Sequence, residues 1–301
     1  MSSVTIRNLA ALFSMLVAFF GSLMDAMQPK EVIAPAPEAI AEEGAIRVMS
    51  YNLKNAISNL GEYRTRKVVL AEQIGDYHPD SFGVQEADPP WMSDLPKLLP
   101  EYDYVGVGRD DGENSGEYSA VFYLKDKYEV LESGTFWLSE TPERPSYGWD
   151  AACRRVCTYA VLRNKQTGET YAHYNTHLDH VSEEARANGS RLIMERMAQC
   201  PYPAVLTGDF NLGEGSSIYN DIIAGPLADT KKEAPDTMSN GTYNGFSSAD
   251  ISQKAPIDFI FFTEESMTAL RYRVLPHNIF NDGPVSDHYP IYADLKINTQ
   301  E

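Results

Sequence analysis

Beyond residue 45 the chain alternates between short apolar runs of strand length and longer stretches with helical spacing. Strand-type runs fall at 46–52 (IRVMSYN), 81–86 (SFGVQE), 119–124 (SAVFYL), 158–163, 170–176, 204–209 (AVLTGD), 257–262 (IDFIFF) and 290–295. Helical spacing predicts helices at 63–76, 183–199 and 216–223. The strands at 158–163 and 170–176 are joined by N-K-Q-T-G-E, a turn-rich link that predicts a hairpin. No repeat or low-complexity break divides residues 45–296, so one domain of two packed sheets with outer helices accounts best for the mixture. Residues 225–256 carry Gly, Pro, Asn and Ser and predict a long surface loop beside a site.

The N-terminal pattern differs. Arg7 precedes an apolar run from Leu9 to Phe20, and the small residues Gly21, Ser22 and Ala26 follow, which predicts a secretory signal over residues 1–26. The run is shorter than the roughly 20 residues of a membrane span. Extended to Met24, it would serve as an uncleaved anchor. Residues 27–44 (MQPKEVIAPAPEAIAEEG) have the composition of a flexible tether and leave 45–301 as the folded domain. The expectation is a secreted or periplasmic protein, membrane-anchored if the leader is retained. Of the three cysteines, Cys153 and Cys157 lie in C-R-R-V-C with no second Cys/His pair to complete a zinc site. A local disulfide or two buried thiols is expected there.

Composition excludes fibrous and disordered classes: 43% of the 301 residues are hydrophobic and 23% charged. Charge is the unusual property. Twenty-five Lys and Arg stand against 43 Asp and Glu, a net charge of −18, which disfavours a generic nucleic-acid coat protein. Clustered carboxylates are also how a protein holds a hard divalent cation, so the balance is compatible with local phosphate chemistry. The polar interruptions of the apolar runs support that view. Asn52 and Glu86 end the first two strands, Asn175, His177 and Asp179 close Y-N-T-H-L-D-H, and Asp209 and Asn211 end A-V-L-T-G-D-F-N. Asp258 opens D-F-I-F-F, and Asp287 and His288 precede the last strand. Singly, each could initiate a turn or be a satisfied core histidine. Six such clusters at strand ends predict convergence on one rim.

The ordered series S-Y-N-L, V-Q-E, N-T-H-L-D-H, T-G-D-F-N, I-D-F-I-F and S-D-H-Y-P resembles the endonuclease/exonuclease/phosphatase superfamily across about residues 45–296. G-T-F-W-L-S-E-T-P and G-W-D-A-A resemble an uncharacterised bacterial branch of it. The resemblance implies an α/β fold, a four-layer sandwich of two packed, mainly antiparallel β-sheets flanked by helices. It implies a hydrolase acting on phosphate ester bonds through metal-assisted attack of water, with Mg²⁺ or Mn²⁺ as cofactor. Asn52 and Glu86 would bind the metal, with Asp287 contributing to it or to a second site. Asp209 would align or deprotonate the water, and Asn211 would hold that water or a phosphate oxygen. His288, oriented by Asp258, and His177 would act on the scissile phosphate and leaving group. Glu117 could orient His177, and Tyr118 could reach the phosphate. Arg154 and Arg155 between the two cysteines, and Arg186 and Arg191 on the following helix, could bind it, an Arg fork suiting bidentate contact, with surface ion pairing the alternative for Arg191. The Trp137, Tyr147 and Trp149 cluster could form an aromatic wall for a base, sugar or acyl group or belong to the core, and core is the expectation for Trp137.

The expected substrate is a small-molecule phosphate ester, favoured over duplex nucleic acid because the charge is −18 and no Lys/Arg stripe occurs. A secreted nonspecific endonuclease and a sphingomyelinase-like phospholipid diesterase are the alternatives, and an inactive binding module is a remote one. Glu86, Asp209, Asn211 and His288 are all present, against the inactive reading. No obligate protein partner is implied, and a monomer is expected.

Overall fold

A computed structural model describes residues 38–238, 240–275, 279–280 and 283–298. Its strands in chain order are β1 (Ile46–Asn52), β2 (Ser81–Gln85), β3 (Tyr102–Val105), β4 (Val121–Leu124), β5 (Tyr128–Trp137), β6 (Val156–Asn164), β7 (Thr170–His177) and β8 (Ala204–Asp209). They continue with β9 (Leu227–Asp229), β10 (Asp236–Thr237), β11 (Asp258–Thr263), β12 (Met267–Val274), β13 (Ile279–Phe280), β14 (Gly283–Pro284) and β15 (Ile291–Ile297). The helices are α1 (Leu60–Tyr77), α2 (Pro89–Leu98), α3 (Glu183–Met197), α4 (Ser217–Ile223) and the single turn α5 (Thr230–Glu233).

One sheet has the order β10-β12-β15-β1-β2-β4-β3 and the other β5-β6-β7-β8-β11-β9. Most neighbours are antiparallel; β1–β2, β7–β8 and β10–β12 run parallel. This is the expected α/β sandwich. The continuous runs IRVMSYN and AVLTGD form central strands buried at every position, because β1 and β8 are covered on both faces. Helices α1 and α2 bury Leu70, Ile74, Trp91 and Leu95 in the core of the first sheet. Helices α3 and α4 bury Ile193, Met197, Ile218 and Ile222 against the second. Asn59, Ser182 and Ser216 cap α1, α3 and α4 by accepting from Glu62, Ala185 and Tyr219 N–H.

Where the sheets meet, the packing includes a buried polar layer. The His173 ring bridges Ser81 Oγ and Thr207 Oγ1, each at 2.8 Å, and burial pushes its pKa down to about 3, so it is neutral. Asn175 donates from Nδ2 to the Val84 and Ala120 carbonyls at 2.9 and 3.0 Å and accepts from Gln85 Nε2 at 2.7 Å. Gly83 permits this approach, since a Cβ there would lie 2.3 Å from Asn175 Oδ1. Asn175, grouped with His177 in the sequence, therefore joins the two sheets and does not line the pocket.

The 225–256 segment holds β9, α5 and β10 as well as loop. Cys153, Cys157 and Cys200 are free thiols; Cys157 is buried and unbridged, so the local disulfide does not form. The leader and most of the tether lie outside the described residues. Among the described residues no helix is long and apolar enough to cross a membrane.

Candidate active site

Strand direction explains why residues distant in sequence meet. Parallel pairing of β1 with β2 brings Asn52 opposite Gln85 and so beside Glu86 at one edge. Parallel β7 and β8 align His177 with Asp209, and antiparallel β11 places Asp258 across from Asp209. Chain reversal before β15 returns Asp287 and His288 to that same edge, where Ser286 Oγ donates to the Asn52 carbonyl at 2.7 Å. The exits are strained: Lys54, Glu86 and Asn211 have φ of 56°, 54° and 51°. Such left-handed backbone costs roughly 1–3 kcal/mol per residue and persists where surrounding bonds over-determine it. Asn55 holds Glu86 Oε2 through its backbone N–H (3.2 Å) and its Nδ2 (2.9 Å). Asn211 donates from its N–H to Asp209 Oδ1 and from Nδ2 to the Leu178 carbonyl, both at 3.0 Å.

The edge encloses a pocket of ≈ 400 Å³. Seven expected residues line it: Glu86, Glu117, His177, Asp209, Asn211, Asp287 and His288. Asn52 and Asp258 stand directly behind. Asn52 Nδ2 donates to Asp209 Oδ2 at 3.0 Å and to Glu86 Oε1 at 3.3 Å, while its Oδ1 accepts from Lys54 N–H. In this arrangement Asn52 clamps two carboxylates, and service as a metal ligand would require its amide to flip.

The titrations diverge. Burial pushes Asp209 up to about 7, with His288 opposing and Asp258 reinforcing that rise. For His288, burial acts downward but the carboxylates of Asp258 and Asp209 outweigh it and lift the ring to about 10. The His288 Nδ1 to Asp258 Oδ2 distance is 2.8 Å, and Nε2 lies 3.5 Å from Asp209 Oδ2. His177 is held well below the usual histidine range by burial and by the positive charges of Arg155 and Arg109. One edge thus presents a carboxylate titrating near neutrality, an imidazolium and a neutral imidazole, the spread that acid and base roles require.

Two groupings offer cation ligands. Asp209, Asp258 and His288 bring ligand atoms within 4.8 Å of one another, but His288 bonded to Asp258 and lifted to about 10 is a cation itself. Glu86 and Asp287 fit a hard divalent ion better. Asp287 Oδ1 is buried without a hydrogen-bond partner among the described residues. Lys54 Nζ already sits between the two carboxylates, 3.2 Å from Asp287 Oδ2 and 3.6 Å from Glu86 Oε2.

Several expected contacts are absent. Glu117 pairs with Arg109 at 2.6 Å, and His177 Nδ1 has no hydrogen-bond partner among the described residues, so Glu117 does not orient His177. Tyr118 donates to the Glu113 carbonyl at 2.9 Å and lies outside the pocket lining. Arg154 stacks over Tyr147, 4.6 Å from the ring centroid, and faces Asp110. Arg186 donates to the Asp179 carbonyl at 2.8 Å, supporting the turn into α3. Trp137 is buried, its indole N–H bound to the Arg109 carbonyl at 2.7 Å. The pocket instead contains Lys54, Arg109, His180 and Tyr243, none assigned to it from sequence, and Arg155, which the sequence offered beside Arg154 as a phosphate contact. For Lys54 a signal existed, since it directly follows S-Y-N-L.

Residues 49–288 match the profile of the Endonuclease/Exonuclease/phosphatase family. An endonuclease/exonuclease/phosphatase family protein from Bacteroides thetaiotaomicron superposes with TM-score 0.79 at 36% identity, covering 85% of this chain and 99% of that one. A mannosyl-6-phosphatase from the same organism gives 0.78 at 36% identity, over 83% of this chain and 99% of its own. The human Nocturnin catalytic domain shares the fold at 18% identity, with TM-score 0.69 over 90% and 100% of the two chains. No curated protein sequence matches significantly.

Proposed function

The chain belongs to the endonuclease/exonuclease/phosphatase family, whose members hydrolyse phosphate esters, and from that premise we propose that it is an exported, Mg²⁺- or Mn²⁺-dependent hydrolase of small phosphate esters. The observation that carries the proposal is the ≈ 400 Å³ pocket that brings Glu86, Asp287, Asp209, His177 and His288 to one strand edge. Glu86 and Asp287 would hold the metal, which when bound neutralises phosphoryl charge and acidifies a coordinated water. Asp209 takes the proton from the attacking water, the transfer for which a pKa near 7 suits it. Asn211, fixed by Leu178, positions that water. His288, protonated and aligned by Asp258, hydrogen-bonds the phosphoryl group and passes its proton to the departing oxygen as the ester P–O bond breaks and the water P–O bond forms. His177, neutral in the reacting state, hydrogen-bonds a nonbridging oxygen or the departing oxygen.

A small substrate is supported by the pocket's size and by the −18 charge, which disfavours duplex binding. Similarity to a mannosyl-6-phosphatase favours a sugar phosphate. Export rests on the signal-like residues 1–26.

The test is a substrate panel of plasmid DNA, single-stranded RNA, sphingomyelin, and sugar and inositol phosphates, run with and without Mn²⁺. Metal-dependent release of phosphate from a sugar phosphate, lost in Asp209→Ala and His288→Ala, is expected. Metal-independent turnover, full activity in both variants, or plasmid DNA as the fastest substrate would overturn the reading.

A further inference from the structure

Arg155 is an unusual occupant of the pocket wall. It is 4% exposed, and neither Nε nor Nη1 has a hydrogen-bond partner among the described residues. Its Nη2 meets His180 Nδ1 at 3.0 Å. The nearest carboxylate oxygen, Asp179 Oδ2, is 3.6 Å from Nε and already accepts from the backbone N–H of Ala152 and Cys153. Arg109 beside it is paired with Glu117, yet its Nε is also unpartnered among the described residues. A desolvated guanidinium with unused donors is costly, and a second cation nearby raises that cost. An anion entering from the pocket would relieve both.

We propose that Arg155, backed by Arg109 and His180, reads the dianionic phosphoryl group of a phosphate monoester and selects monoesters over diesters. This deepens the phosphoester hydrolase reading and rests on it. A guanidinium fork needs two oxygens for parallel hydrogen bonds, here from Nη1 and the second N–H of Nη2, whose first meets His180. A monoester has three nonbridging oxygens, so one given to the cation that Glu86 and Asp287 would hold leaves two for the fork. A diester has two, which leaves one, and its second ester substituent occupies the direction of the other. The monoester also carries the larger charge, which counts for more in a buried site.

The experiment compares 4-nitrophenyl phosphate with bis(4-nitrophenyl) phosphate, using the purified full chain in Mn²⁺, for the wild type, Arg155→Met and Arg155→Lys. Inorganic phosphate binding is measured calorimetrically in parallel. Arg155→Met is expected to lower kcat/KM for the monoester about 100-fold, as for loss of a charged hydrogen-bond pair. The diester value should fall less than about tenfold. Phosphate affinity should drop at least about tenfold. Arg155→Lys keeps the charge without the fork and should recover only part of the monoester preference, which also covers the case in which Arg155→Met does not fold. A monoester-to-diester ratio within about threefold of wild type in a folded variant overturns the proposal. If the wild type cleaves neither ester, the functional reading fails. Phosphate binding then decides the subsite alone: weakening by Arg155→Lys supports it, and unchanged binding overturns it.

Discussion

Replacing Asp258 by Asn tests the electrostatic logic of the pocket. The change preserves size but removes the charge that faces His288 Nδ1 at 2.8 Å. In the native protein His288 rises from 6.5 to about 10 although burial alone would lower it, and Asp258 is the largest opposing influence, followed by Asp209. That rise corresponds to on the order of 5 kcal/mol in favour of the imidazolium. In the Asp258→Asn variant most of that preference is lost and His288 should titrate in the neutral range. Activity measured as kcat/KM with saturating Mn²⁺ should fall about 10²- to 10⁴-fold, the span of general acid–base contributions. The alkaline limb of the pH profile should move down from the region of pH 10. Stability follows the same linkage. A folded-state pKa above the unfolded value contributes stability that is fully present below pH 6.5 and is lost as pH rises through about 10. The variant should therefore melt at lower temperature than wild type at pH 7, with the gap closing above pH 10. Nuclear magnetic resonance titration of the metal-free protein reports the ring directly. An unmoved alkaline limb with less than about threefold loss of kcat/KM would refute the assignment of His288 as an acid held charged by Asp258.

Other consequences concern the cation site and the packing beneath it. Lys54 Nζ occupies the space between Glu86 and Asp287, so Lys54→Met should tighten calorimetric Mn²⁺ binding about 3- to 30-fold; unchanged or weaker binding would show that the ammonium does not compete with the metal. Glu86→Gln should abolish the rise in melting temperature that Mn²⁺ produces in the wild type, because only ligand binding to the folded state yields such a rise; a full metal-dependent shift in that variant would place the ion elsewhere. Gly83→Ala puts a methyl group 2.3 Å from Asn175 Oδ1 and 2.4 Å from Thr207 Oγ1, and should lower unfolding free energy by about 1–3 kcal/mol or more in urea titration. A loss below about 0.5 kcal/mol would mean that the sheets separate there at little cost.

What the amino-acid pattern disclosed, and what it hid, follows from where each residue's partner lies. β1 and β8 are buried on both faces, so their apolar runs are legible without neighbours. β12 is not: Arg271 and Arg273 point to Glu38 and Asp236, and their charges broke a run that tertiary ion pairs complete. β5 is an edge strand with Leu131 exposed and Glu132 bonded to Tyr159 at the surface. Pro89 and Pro90 occupy the first turn of α2, where a missing N–H costs nothing.

The site divides along the same line. Its acids, amides and histidines interrupt strands at their ends, and strand register alone carries them to one edge, so local pattern sufficed. Its cations required tertiary knowledge. Arg109 lies in R-D-D-G-E-N-S-G-E, which resembles solvated loop until Glu117 folds back to meet it at 2.6 Å. Arg154 and Arg155 are chemically identical neighbours entering β6, and successive side chains there take opposite sides. Which one turns inward is decided by Asp179 and His180, supplied by the loop after β7. Arg154 instead finds Tyr147 and Asp110 at the surface. The sequence thus offers two adjacent cations, while the choice of the one that faces the pocket belongs to contacts with the loop after β7 that neither arginine's own segment encodes.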